Sequence, residues 1–100
     1  MEFDNLSKDE KFAFWSEIEG RIKTIMSNIG RSVAEADQEE VSKLLSHNEL
    51  GIALEHLSNA LIEDEIKIEK NIRDEILDLM KLMEYDSKDI QYVENNIETT

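Results

Sequence analysis

The side chains that could do chemistry are few, and their spacing limits what they can do. His47 and His56 are the two imidazoles. They do not form the H-E-x-x-H pattern that sets two zinc ligands and a general base on one helix face. Glu63-Asp64-Glu65 places three carboxylates side by side, the donor type a divalent cation prefers. The alternating D-x-D-x-D-G spacing of a calcium loop is absent, so the run is a weak metal signal. The chain has no cysteine, hence no thiolate nucleophile, thiolate ligand or disulfide. It has no glycine-rich loop to cradle phosphate. The sequence therefore reads as a non-enzyme, with no catalytic, cofactor-binding or metal residue assigned. Among the larger aromatics, Trp15 reads as a core or boundary residue. Tyr85 and Tyr92 suit an exposed anchor and a packed position equally.

The elements that would position these side chains are helical. The chain has no proline and three glycines in 100 residues, which fits long helices better than a turn-rich β fold. Ser7-Lys8-Asp9-Glu10 is a capping box. Phe14, Ile18, Ile22, Ile25 and Ile29 follow at helical spacing, and Phe12, Trp15 and Met26 widen that stripe. Gly30 sits where a left-handed stop is expected. A second helix is expected from Asp37-Gln38-Glu39-Glu40, with Val41, Leu44 and Leu45 inward. Ser46-His47-Asn48-Glu49 repeats the capping-box pattern and predicts a third. Its stripe is Leu50, Ala53, Leu54, Leu57 and Leu61, with Ile52, Ala60 and Ile62 beside it. Residues 63–68 lack helical period and read as a connection, with Ile66 and Ile68 folding back. A fourth helix starts near Glu69 or Lys70. It buries Ile72, Ile76, Leu79, Met80 and Met83, broadened by Leu77 and Leu82, and ends near Tyr85-Asp86-Ser87. A short fifth can follow, carrying Ile90, Val93 and Ile97. The expected fold is all-α, a small antiparallel bundle of four helices with a possible fifth at the C-terminus. Residues 1–100 form one domain, with 1–6 and 96–100 expected to be flexible.

Charge is the strongest global signal. Twenty-four acids against eleven bases give a net charge of −13. That exceeds the magnitude of about 2–8 that solubility of a small domain requires. The negative field disfavours direct nucleic-acid contact and anionic membranes. No apolar run approaches the ~20 residues of a membrane span, and the first residues lack the basic and apolar parts of a signal peptide, so the expected location is cytoplasmic. Most of the excess lies between residues 35 and 69. If the second and third helices are antiparallel, Glu35, Asp37, Glu39 and Glu40 share one end of the bundle with Glu63, Asp64 and Glu65. These seven are the candidate contacts for a basic partner.

The segment Asn48-Glu49-Leu50-Gly51-Ile52-Ala53-Leu54-Glu55-His56-Leu57, continuing to Leu61-Ile62-Glu63-Asp64, resembles small bacterial immunity proteins. It is similar to the MafI-type and contact-dependent growth inhibition immunity families encoded beside polymorphic toxins. Their E-[WL]-G-x-A-L-E-x-L core is followed by a short acidic stretch and another helix. The resemblance covers roughly Ser46 to Met83. Leu50 stands where an aromatic is common, and Glu69-Lys70 where a serine or proline often starts the last helix. The motif is mainly structural: small Gly51 and Ala53 admit a neighbouring helix. The resemblance implies a cognate toxin domain, usually a basic RNase or DNase, met by the acidic surface. The sequence leaves room for an acidic helical adaptor, or a nucleic-acid mimic that inhibits a basic protein. A monomer or weak homodimer is expected. Acyl carrier proteins, also small, acidic and helical, carry a D-S-L motif; here Asp86-Ser87 is followed by Lys88.

Overall fold

Ser7 opens the first helix as the capping box requires. The Glu10 N–H donates to Ser7 Oγ at 3.2 Å, and the Ser7 N–H donates to Glu10 Oε1 at 3.1 Å. Hydrogen bonding from the Ser7 backbone N–H, and next from the Ser7 side chain, holds the Glu10 carboxyl below its ordinary pKa. Helix α1 then runs Lys8–Ile29 and buries Ile18, Ile22, Ile25 and Ile29. The structure, a computed structural model, describes residues 6–100. The expected flexibility of residues 1–5 lies outside the described residues.

Four further helices follow: α2 (Glu35–Ser46), α3 (Leu50–Glu63), α4 (Lys70–Leu82) and α5 (Ser87–Asn96). They make an all-α antiparallel bundle of four with a short fifth. α1, α3 and α5 point one way, α2 and α4 the other. Their inward stripes meet in one core, where Ile22, Val41, Leu54, Leu57, Leu61, Ile76 and Leu79 are fully buried. Ala53 is also fully buried, so a small residue there lets neighbouring helices close in.

The helix stops differ from the expected ones. Gly30 is right-handed, with φ −52°, and begins a 3₁₀ turn over Gly30–Ser32. The turn's carbonyls are satisfied from the next helix: Gln38 Nε2 donates to Gly30 O and to Val33 O. That bracing lets α2 start at Glu35, ahead of the expected Asp37. Left-handed backbone occurs instead at Asn48, Glu65 and Glu84, with φ of 58°, 52° and 58°. Each follows a helix, and each stop has the same paired bonds. After α2, Glu49 N donates to Leu44 O and Asn48 N to Leu45 O. After α3, Ile66 N donates to Leu61 O and Glu65 N to Ile62 O. After α4, Tyr85 N donates to Met80 O and Glu84 N to Lys81 O. Ser46 therefore belongs to the end of α2, its hydroxyl bonded to Lys43 O, and does not cap α3. Glu49 occupies the α3 cap without a side-chain bond. Asp86 caps α5 by accepting from Lys88 N.

Two long-range ties fix the remaining geometry. Arg21 on α1 reaches α4, donating to Glu75 Oε1 and to Asp78 Oδ2, the latter at 2.7 Å. Hydrogen bonding to Asp78, opposed by burial and aided by Glu75, raises the guanidinium pKa further. At the other end, Ile68 N donates to Glu98 O and Thr100 N to Ile68 O. The last residues, expected to fray, thus form a parallel bridge between Ile68 and Thr99, and Ile97 is buried.

Candidate protein-binding surfaces

The α2–α3 hairpin positions the predicted acids. Both helices turn their apolar residues inward, so the carboxylates are left for solvent. Glu35, Glu39, Glu63, Asp64 and Glu65 are exposed, and Glu40 and Asp37 are half-buried. Asp37 is taken by an internal partner: its Oδ1 lies 2.9 Å from His56 Nε2 on α3. With only residues 47–49 between the two helices, this contact fits an antiparallel hairpin and sets its register. Glu63 is seven residues beyond His56, so the α3 end overshoots Asp37 by roughly 10 Å at 1.5 Å per residue. The structure thus brings the two acid groups to the same end, axially offset. Asp37 departs from the set, because it ties α2 to α3. None of the other six joins an ion pair among the described residues.

Glu65 has a further feature. It occupies a left-handed position, where glycine adds no Cβ penalty and asparagine is tolerated. A glutamate there costs about 1 kcal/mol of backbone preference.

The opposite end of the bundle carries apolar residues that sequence reasoning placed in or beside the buried stripes. Phe12 is 75% exposed, Ile52 55%, Leu82 43% and Trp15 37%. Phe12 and Trp15 therefore do not widen the buried stripe, and Leu82 does not broaden that of α4. The spacing held the signal. At 100° per residue, Phe12 is about 160° around the helix from Phe14, which starts the inward stripe. Phe12, Trp15 and Glu19 share a second face at i, i+3 and i+7. Trp15 stacks on Phe14, with ring centroids 5.0 Å apart and planes 5° from parallel.

These apolar side chains line two adjoining grooves. One lies between α1 and the start of α3, lined by Phe12, Trp15, Leu50 and Ile52, with Glu19 and Glu49. The other lies between α1 and the end of α4, lined by Phe14, Trp15, Leu82 and Met83, with Glu10 and Glu84. Tyr85 braces the start of α3: its hydroxyl donates to Gly51 O. It is a half-buried packed residue, whereas Tyr92 on α5 is 55% exposed.

Among the described residues, no group of three His, Asp or Glu side chains is placed to hold a metal ion, and no helix is long and apolar enough to cross a membrane. Comparison with protein-family models, curated proteins and solved structures gave no match.

Proposed function

We propose that this chain is an immunity-type binding protein that holds a basic bacterial toxin domain, an RNase or DNase, in an inactive complex. It works in the cytoplasm and performs no chemistry. Glu35, Glu39, Glu40, Glu63, Asp64 and Glu65 meet the toxin's phosphate-binding cations, as a phosphate mimic or beside the active site. Asp37 contributes by fixing the α2–α3 hairpin. The observation that carries this reading is the group of six carboxylates that the α2–α3 hairpin brings to one end of the bundle, none of them in an ion pair among the described residues. Like charges gathered without internal partners repel one another within the fold and complement a basic surface outside it. The resemblance of residues 46–83 to immunity proteins supports the same reading. The acids would accelerate encounter with a basic surface, an effect that weakens as salt screens it.

The test is co-expression with the product of the adjacent gene. Expected is survival of the cells and co-purification of a basic nuclease whose association slows steeply with salt. A Glu35→Lys/Glu63→Lys/Asp64→Lys variant, folded by circular dichroism, should lose protection. Full protection by that variant removes these contacts. Failure to retain any toxin, with a host DNA-binding protein retained instead, replaces the immunity reading with the nucleic-acid-mimic one.

A further inference from the structure

We propose that the surface around Trp15 docks an amphipathic helix of a partner protein, with an apolar face bordered by lysine or arginine. This site lies at the other end of the bundle from the acids assigned to toxin binding. From Trp15 to the end of α1 at Ile29 is about 20 Å along the axis. The inference therefore stands whether or not the partner is a toxin.

Three features select this occupant. First, the exposed apolar residues are not scattered. Phe12, Trp15, Ile52 and Leu82 come from three helices and border two grooves that share Trp15. Single exposed hydrophobics are ordinary, whereas a polar-rimmed group of them marks a contact site. Second, the rim is acidic. Glu10, Glu17, Glu19, Glu49 and Glu84 surround the grooves, with Lys81 as a cation on the α4 side. Glu19 pairs with Lys23 at 3.1 Å and Glu17 lies 4.0 Å from Arg21, which leaves Glu10, Glu49 and Glu84 outside any ion pair among the described residues. Such a rim opposes a second copy of this chain, which would bring the same carboxylates face to face, and it opposes anionic lipid. It complements basic flanks. Third, both grooves run between helices, the place where another helix packs its ridges. Phe12 to Glu19 spans two turns, about 10 Å, matching anchors at i, i+3 or i+4, and i+7.

The probe is a synthetic amphipathic peptide of leucine and lysine, about four helical turns long and free of tryptophan. Trp15 is the chain's single tryptophan, so its emission reports occupancy directly. The controls are a scrambled peptide of equal composition, a leucine–glutamate version, and a basic proline-rich peptide. Saturable binding is expected for the leucine–lysine helix, with each control weaker by about tenfold or more. Ile52→Asp/Leu82→Asp should weaken it by about tenfold or more, as should Phe12→Ala. These sites are exposed, and circular dichroism verifies the fold. At about physiological salt, where charges about 20 Å apart are largely screened from each other, Glu63→Lys/Asp64→Lys should leave the affinity within about twofold, which separates this surface from the acidic end. The proposal is overturned by absent binding, by equal binding of any control, by retention in both groove variants, or by loss in Glu63→Lys/Asp64→Lys. Concentration-dependent self-association, abolished by Ile52→Asp/Leu82→Asp, would overturn it in favour of a second copy.

Discussion

Replacing Tyr85 with phenylalanine should destabilise the fold at neutral pH and leave it indistinguishable from the parent in strong alkali. The ring packs half-buried against the core, and its hydroxyl donates to Gly51 O, joining the α4–α5 turn to the first turn of α3. Phenylalanine keeps the ring and removes one bond. Gly51 O remains within α3, where it can accept an intrahelical bond, so the loss is about 1 kcal/mol. The phenol pKa is pushed up to about 12, chiefly by burial and then by the negative charges of Glu55 and Asp89. In the unfolded chain it ionises near 10. Between these values the unfolded chain releases a proton that the folded chain keeps. Tyrosine's contribution is therefore complete below about pH 10 and is lost as the pH rises through about 12. Two pKa units correspond to at most about 2.7 kcal/mol. The half-exposed ring reduces that to about 1 kcal/mol after solvent screening.

Urea unfolding of parent and Tyr85→Phe, at about pH 8 and about pH 12, measures this. Lysines and other groups that titrate in the same interval cancel in the difference. The variant's midpoint should lie about 0.5–1 M lower at the neutral pH, and the two curves should converge at the alkaline one. Phenolate absorbance in a Tyr92→Phe background follows the Tyr85 proton itself. Ionisation of Tyr85 near 10 in the folded chain, or a midpoint difference that does not change with pH, would refute the reasoning.

Arg21→Met keeps much of the apolar stem and removes the links to Glu75 and Asp78. The pairs are only partly buried, so unfolding should become easier by about 1 kcal/mol in low salt, with a smaller deficit in high salt. Equal deficits at both salt concentrations would assign the effect to packing instead. Two substitutions should stabilise. Gly20 lies mid-helix with nothing within 4 Å of the place an alanine methyl would take, and Glu84 is left-handed. Gly20→Ala and Glu84→Gly should each raise stability by about 0.5–1 kcal/mol, read as higher urea midpoints. A fall in either midpoint would contradict that backbone argument.

The core was legible because burial and helical period point the same way. Every member of the α1 stripe from Ile18 to Ile29 is buried, as its spacing predicts. The stops were not, because glycine is only the commonest left-handed residue. Here hydrogen bonding and the packing of Ile66 and Tyr85 after α3 and α4 impose that conformation on Glu65 and Glu84. The Ser46-to-Glu49 capping pattern misled for a related reason: the same serine also fits the last turn of α2, and the left-handed Asn48 settles the competition. For the acids, chain order sufficed to place both groups at one end. It could not show that Asp37 meets His56, since that pairing depends on the hairpin's register. Phe12 and Trp15 were lost by counting apolar residues toward one stripe without checking their angle around the helix.

The separation of acid from apolar surface constrains how any partner is held. Long-range attraction needs no contact, so the acids at the α2 start and α3 end can guide a basic molecule from about a Debye length away. Exposed pairs contribute little once formed, because water and salt screen them. Slow dissociation requires desolvated apolar contact, and the exposed apolar cluster lies at the far end of α1. The molecule measures 40 × 27 × 18 Å along its principal axes, so a contact covering both ends must extend along much of its long dimension. A smaller partner is steered by one end and gripped there only weakly, or is gripped at the Trp15 grooves with the acids of the other end contributing mainly to its approach. The two sets of substitutions divide along that line: charge reversal at Glu63 and Asp64 acts first on the association rate, whereas Ile52→Asp/Leu82→Asp acts on the dissociation rate.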